Sequence, residues 1–174
     1  MSIHADRDIF VAAMRRAATG VSVVATAGPA GMLAVTVSAV ASVSADPPMV
    51  LACINRRSPV CQAIRGNGVF TVNLLTAEQA AVADTFAGRR TGYAPFDFAC
   101  ADWHRIGSPG VPCLTDALCS FHCHLHDAHD AGSHSILIGR VSETISRDAL
   151  PLIYAGQRYG APYQIPSSMT EAQP

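Results

Sequence analysis

The chain has 174 residues, 49% of them hydrophobic and 14% charged, with a formal net charge of −1. That is enough apolar material for the core of one domain and excludes a disordered chain. The near-neutral balance offers no broad basic face for nucleic acid and no polybasic segment for an acidic membrane, while a charged share well under the ~25% usual in soluble domains points to surface buried in an oligomer.

Residues 1–8 place charges where a signal sequence needs an apolar run, and the longest apolar runs are strand-length, so a cytoplasmic location without a membrane span is expected. The six cysteines, at 53, 61, 100, 113, 119 and 123, then read as core thiols rather than disulfides. From Asp8 onward, Ile9, Phe10, Ala13, Met14 and Ala17 recur at helical spacing, which predicts an amphipathic opening helix stopped by Gly20. A strand over 21–26 and turn chemistry at 27–31 form a hairpin with a second strand over 32–37. Residues 38–45 are almost all Ser and Ala, a ledge with little bulk that allows a flat ligand close to backbone amides and hydroxyls. Asp46, Pro47 and Pro48 stop the ledge and a strand over 49–54 follows. Ser58 then reads as a helix N-cap with Pro59 at the first helical position. Arg56 and Arg57 beside it make that helix start a natural place for a phosphate.

The helix from Pro59 ends at Gly66 to Gly68, and 69–75 is another strand. Thr76 and Gln79 have the spacing of a capping box, predicting a helix over 77–86 that stops at Gly88. Residues 89–117 read as a long surface excursion with one strand near 97–106. Residues 118–127 alternate, with Leu118, Ser120, His122, His124 and His126 on one face and Cys119, Phe121, Cys123 and Leu125 on the other. A turn at 128–133 sends the chain back through a strand over 134–142, a short apolar piece lies at 151–154, and 163–174 reads as a flexible tail. Many short strands with two or three helices, and no alternating strand–helix repeat, predict one mainly β domain over 1–174 with its core at about 8–160. The architecture expected is an antiparallel β-barrel with a few flanking helices. No glycine-rich dinucleotide fingerprint is present.

Five blocks fall in one order: residues 36–39 (TVSA) with 42–51 (SVSADPPMVL), 53–58 (CINRRS), 68–74 (GVFTVNL), 86–88 (FAG) and 132–141 (GSHSILIGRV). Together they resemble the flavin reductase family, the small reductase components that supply reduced flavin to partner monooxygenases. The resemblance runs from about Phe10 to Tyr159. It implies a split antiparallel β-barrel of the FMN-binding type, usually a homodimer, that passes a hydride from NADH or NADPH to FMN or FAD. Other redox uses of the same barrel, such as flavin carriage without reductase activity or corrinoid reduction, remain open.

The resemblance places the flavin ring and ribityl chain along Thr36, Val37, Ser38 and Ala39. It places the ribityl and phosphate at Cys53, Ile54, Asn55, Arg57 and Ser58, although Ser58 could equally cap its own helix. Phe86, Ala87 and Arg89 would border the flavin, with a core role the alternative for Phe86. His134 would stand beside the nicotinamide, orienting it or stabilising charge as reduced flavin forms. Tyr154, with Arg158 and Tyr159 near it, falls at the active face. His122, His124 and His126 invite a metal reading, but same-face residues ~6.5–7 Å apart along a strand fit one ion poorly. We therefore expect no metal there and read that row as a polar outer face or interface.

Overall fold

The computed structural model describes residues 6–90, 94 and 96–163. Helix α1 (Arg7–Met14) precedes strands β1 (Thr19–Gly20), β2 (Ser22–Thr26), β3 (Leu33–Val37), β4 (Val40–Ala45) and β5 (Pro48–Asn55). Helix α2 (Pro59–Asn67) leads to β6 (Val69–Leu74), and a 3-10 turn (Ala77–Gln79) opens α3 (Ala80–Phe86). A small hairpin of β7 (Trp103–Ile106) and β8 (Val111–Leu114) precedes the long hairpin of β9 (Cys119–Ala131) and β10 (His134–Ser146). The short pair β11 (Ile153–Ala155) and β12 (Arg158–Gly160) follows.

Seven strands pair antiparallel in the order β3-β2-β6-β9-β10-β5-β4. The Cys53 amide donates to the Ala39 carbonyl at 2.9 Å, so the chain leaving β3 folds back onto β5 and the sheet curls into a split barrel. Its interior is filled by Val24, Val50, Ala52, Phe70, Val72 and Leu137, and α2 plugs one end with Val60, Cys61 and Ile64. The outer side of β2 carries a second cluster. There Val23, Ala25 and Ala34 meet Val82, Ala83 and Phe86 of α3, Leu114 of β8 and Leu152. Strand β2 is therefore buried on both faces, which is why its sequence, SVVAT, does not alternate. A buried polar knot fixes the register. The Asn73 side-chain Nδ2 donates to the Val23 carbonyl (3.0 Å), and its Oδ1 accepts from the Leu114 amide (3.0 Å) and the Ser120 hydroxyl (2.8 Å).

The local signals at helix ends hold. Gly68 closes α2 at φ 71°, a left-handed conformation that glycine adopts without a Cβ penalty. The predicted capping box between Thr76 and Gln79 forms, with the Thr76 amide donating to Gln79 Oε1 at 3.0 Å. Among the described residues no helix is long and apolar enough to cross a membrane.

Four expectations need correction. The opening helix ends at Met14, buries none of its residues, and leaves Ile9 72% exposed. Gly20 is not its stop; it lies in β1 opposite Ile153, because strand pairing outcompetes the helical spacing beyond Arg16. The Ser/Ala ledge is itself a strand, β4, recruited by pairing with β5 despite its low β propensity. In the 97–106 stretch the strand begins at Trp103, after a 3-10 turn (Phe98–Cys100), and its partner β8 was not anticipated. The turn expected at 128–133 is confined to Gly132 and Ser133, since β9 runs on to Ala131. A register shift places Asp127 opposite Ile138 and Leu125 opposite Gly139, so His126 bulges and the alternation slips. Of the expected tail, Tyr163 is described and 164–174 lies outside the described residues.

Candidate functional site

A cleft of about 690 Å³ opens where the end of β3, the start of α2, the end of α3 and the β11–β12 hairpin converge. One wall is built from Thr36, Val37 and Ser38 with Asn55, Arg57 and Ser58. Thr36 is fixed because its hydroxyl donates to the Ala83 carbonyl at 2.7 Å, tying β3 to α3. Asn55 ends β5 and turns the chain: its Oδ1 accepts from the Arg57 amide (2.9 Å) and its carbonyl from the Ser58 amide (2.9 Å). Ser58 occupies the N-cap position of α2 in an extended conformation, yet its side chain makes no cap hydrogen bond. The hydroxyl thus stays available at the positive end of a helix dipole, beside Arg57, whose side chain has no partner among the described residues.

The opposite wall is formed by Phe86, Ala87, Arg89 and Phe96 with Tyr154 and Tyr159. Gly88 turns the chain out of α3 at φ 68°, and the Arg89 amide then donates to the Asp84 carbonyl at 2.9 Å. Cross-strand register places Tyr154 directly opposite Tyr159, their ring centroids 5.3 Å apart. The guanidinium of Arg89 donates to the Tyr159 hydroxyl (2.8 Å) and reaches the Tyr154 hydroxyl (3.4 Å). The Tyr159 hydroxyl in turn donates to Asp84 Oδ1 at 2.9 Å. Burial, reinforced by the bond to Asp84, pushes the Tyr159 phenol up to about 12, so it stays a proton donor at neutral pH.

A smaller recess of about 230 Å³ shares Thr36, Val37, Ser38, Asn55 and Ser58 with the main cleft and adds Ala39, Cys53, Ile54 and His134. His134 begins β10 opposite Asn55 and contacts the Ser133 hydroxyl through Nδ1 at 2.9 Å. All fourteen residues singled out in the sequence therefore line two adjoining concavities. Three of them play a different part from open polar contacts. Val37 and Ile54 point into the barrel core, leaving backbone as their contribution to the wall. Phe86 is fully buried, packed edge-on against Phe98 and Trp103 at 5.2 and 5.5 Å, so the core reading of this residue applies along with its place at the cleft. Sequence reasoning missed Val35, Phe96 and the carboxylate of Asp84, for which no local signal stood out.

The histidine row does not converge. His122 is buried with Nδ1 2.6 Å from the Ser142 hydroxyl and its ring edge-on to His124, while His124 and His126 are exposed. His129 is paired with Asp127 at 2.9 Å. Among the described residues no three His, Cys, Asp or Glu side chains group as metal ligands.

Known proteins share both sequence and fold with this chain. The family described as "Flavin reductase like domain" matches residues 14–162. The FMN reductase (NADH) RutF of Methylorubrum extorquens (strain DM4) is 40% identical over 161 residues, which cover 91% of this chain and 76% of that one. Among solved structures, the flavin reductase PheA2 superposes with a TM-score of 0.83 at 29% identity, covering 92% of this chain and 100% of that one. BorF, the flavin reductase component of a bacterial two-component tryptophan halogenase, superposes with a TM-score of 0.80 at 31% identity over 90% and 98% of the two chains. A seven-stranded split barrel, a two-walled cleft at its mouth and a family match over most of its length agree: the chain belongs to the flavin reductase family.

Proposed function

We propose that the cleft is where this NAD(P)H-dependent flavin reductase brings its two substrates together, with FMN as the flavin and NADH as the hydride donor. The observation that carries the reading is the uncapped Ser58 hydroxyl at the start of α2, next to Arg57, whose side chain has no partner among the described residues, at one end of a cleft large enough for a tricyclic ring and its ribityl tail. Arg57, Ser58 and the first amides of α2 hold the phosphate. Asn55 and Cys53 face the ribityl chain, and the backbone of Thr36, Val37, Ser38 and Ala39 meets the ring, with Ile54 shaping the floor. Phe86 and Ala87 close the ring's far side. When bound, the flavin accepts a hydride at N5 from the nicotinamide C4. The protein's contribution is to hold two flat rings in contact, exclude water and fix their orientation. His134, at the edge of the smaller recess, orients the nicotinamide or stabilises charge on the reduced ring.

FMN and NADH are favoured because the relative named FMN reductase (NADH) is 40% identical over nearly the whole chain. The likeness to a reductase component of a two-component halogenase supports delivery of reduced flavin to a flavin-dependent monooxygenase. Low charge and the exposed Ile9, Phe10 and Met14 of α1 support a homodimer, and six free thiols suit the cytoplasm. The test is NADH oxidation with and without added FMN, alongside a fluorescence titration of FMN. Saturable, FMN-dependent oxidation is expected. FMN binding without any NADH oxidation would leave a flavin carrier, and no FMN binding would refute the site.

A further inference from the structure

Two arginines line the same cleft from opposite walls, and the FMN proposed for it carries a single phosphate. Arg57, at the start of α2, already answers that phosphate. Arg89 stands across from it and is held very differently. The carboxylate of Asp84 lies 3.4 Å from its Nε, the Tyr159 hydroxyl accepts from Nη2 at 2.8 Å, and the Tyr154 hydroxyl lies 3.4 Å from Nη1. The guanidinium carbon sits 5.6 and 5.8 Å from the two tyrosine ring centroids.

Asp84 is the hub of this arrangement. Its carbonyl accepts the amides of Arg89 (2.9 Å) and Arg90 (3.3 Å), which fixes the loop leaving α3. Its carboxylate accepts the Tyr159 hydroxyl, which fixes the β11–β12 hairpin. One acidic residue thus ties two segments to α3, and the side chain it aligns is a cation facing the cleft across from the proposed phosphate site. N–H directions on the terminal nitrogens of Arg89 remain for an incoming anion. The second anion entering this cleft is the pyrophosphate of the hydride donor, and the chain carries no glycine-rich fingerprint elsewhere to hold it.

We propose that Asp84 is a positioning residue for the nicotinamide substrate: it holds Arg89 and Tyr159 as a cationic wall that receives the dinucleotide pyrophosphate, leaving the flavin phosphate to Arg57 and Ser58. The proposal rests on the reductase reading of the cleft and assigns its second subsite.

The experiment compares wild type with Asp84→Asn, Tyr159→Phe and Arg89→Ala. It measures the dissociation constant of NAD⁺ by calorimetry, that of FMN by fluorescence, and the KM for NADH against that for N-benzyl-1,4-dihydronicotinamide, a hydride donor with no phosphate. In Arg89→Ala and Asp84→Asn we expect NAD⁺ affinity and the KM for NADH to worsen roughly five- to tenfold. The ratio of the NADH KM to the benzyl-donor KM should rise by a similar factor, with FMN affinity within about twofold of wild type. Tyr159→Phe, which keeps the Asp84 backbone contacts and guards against a variant that fails to fold, should give about a two- to threefold rise. Weaker FMN binding with unchanged NAD⁺ affinity would overturn the proposal by assigning Arg89 to the flavin. Tighter NAD⁺ binding in Asp84→Asn would overturn it by making Asp84 a counter-charge, and an unchanged KM ratio would make the network a bystander. Failure of wild type itself to bind FMN is a separate outcome that removes the reductase reading first.

Discussion

The two walls of the cleft differ in how their polar groups are spent. On the α2 side, the Ser58 hydroxyl makes no cap bond and the Arg57 side chain has no partner among the described residues. On the hairpin side, Arg89 bonds Tyr154, Tyr159 and Asp84, and the Tyr159 hydroxyl closes the network onto Asp84. A wall with uncommitted groups gains contacts when a ligand arrives, whereas a wall already satisfied internally supplies shape and a fixed cation. The contrast separates a wall that offers free groups from one that offers a fixed cation.

The largest expected effect falls on the uncommitted wall. Arg57→Ala should weaken FMN binding about 10- to 100-fold, the range for a lost charge-assisted bond of about 1.5–3 kcal/mol, read by fluorescence titration. A change under about twofold would show that the phosphate lies elsewhere. His134→Ala should lower kcat about tenfold without abolishing turnover. Loss of flavin binding with normal residual turnover would count against its nicotinamide-side role. Ser58→Ala sharpens the contrast further. Because the hydroxyl is uncapped, its urea midpoint should shift by less than the ~1 kcal/mol an N-cap usually contributes, while FMN affinity falls about threefold to tenfold. A full capping penalty would restore the structural role.

The smallest effect concerns pH and lies outside the cleft. Burial, then the neighbouring His124, lowers the His122 pKa below its ordinary 6.5, against weaker opposing influences that include Glu143. The unfolded chain therefore takes up a proton near and below pH 6.5 that the folded chain resists, so stability is full above that value and falls as pH drops through it. Melting scans from pH 7.5 to 5.5 should show a decline of a few degrees that flattens in His122→Asn. An equally steep decline in that variant would point to another group.

How much of this was legible in the sequence follows the range of each interaction. Ser58 with Pro59, Gly68 and the Thr76 to Gln79 spacing are local signals, and they mark the ends of α2 and the start of the helical segment that carries α3. The residues that line the cleft and its recess were legible through five short blocks that keep a family's order. What resisted was set at a distance. Strand β4 is Ser- and Ala-rich and exists because β5 pairs with it. Strand β8 carries Pro112 and is held by the Thr71 hydroxyl donating to the Pro112 carbonyl at 2.6 Å, a contact 41 residues away in sequence. The polar run at 126–131 imitates a turn but extends a hairpin, and its bulge at His126 spoils the alternation that a metal reading required. Asp84 was invisible for the same reason: an acid near a helix end is unremarkable until the partner Tyr159, 75 residues on, folds over it.

Strand β2, enclosed by the barrel interior on one side and by α3, β8 and Leu152 on the other, has a practical use. Its amides should exchange with deuterium through global opening alone, so isotope uptake at 22–26 reports the stability of the whole molecule. Saturating FMN should slow that uptake in proportion to the stabilisation its binding adds at that concentration, although no residue of the strand lines the cleft or its recess. A single peptide from the middle of the barrel could then rank candidate flavins without following any reaction.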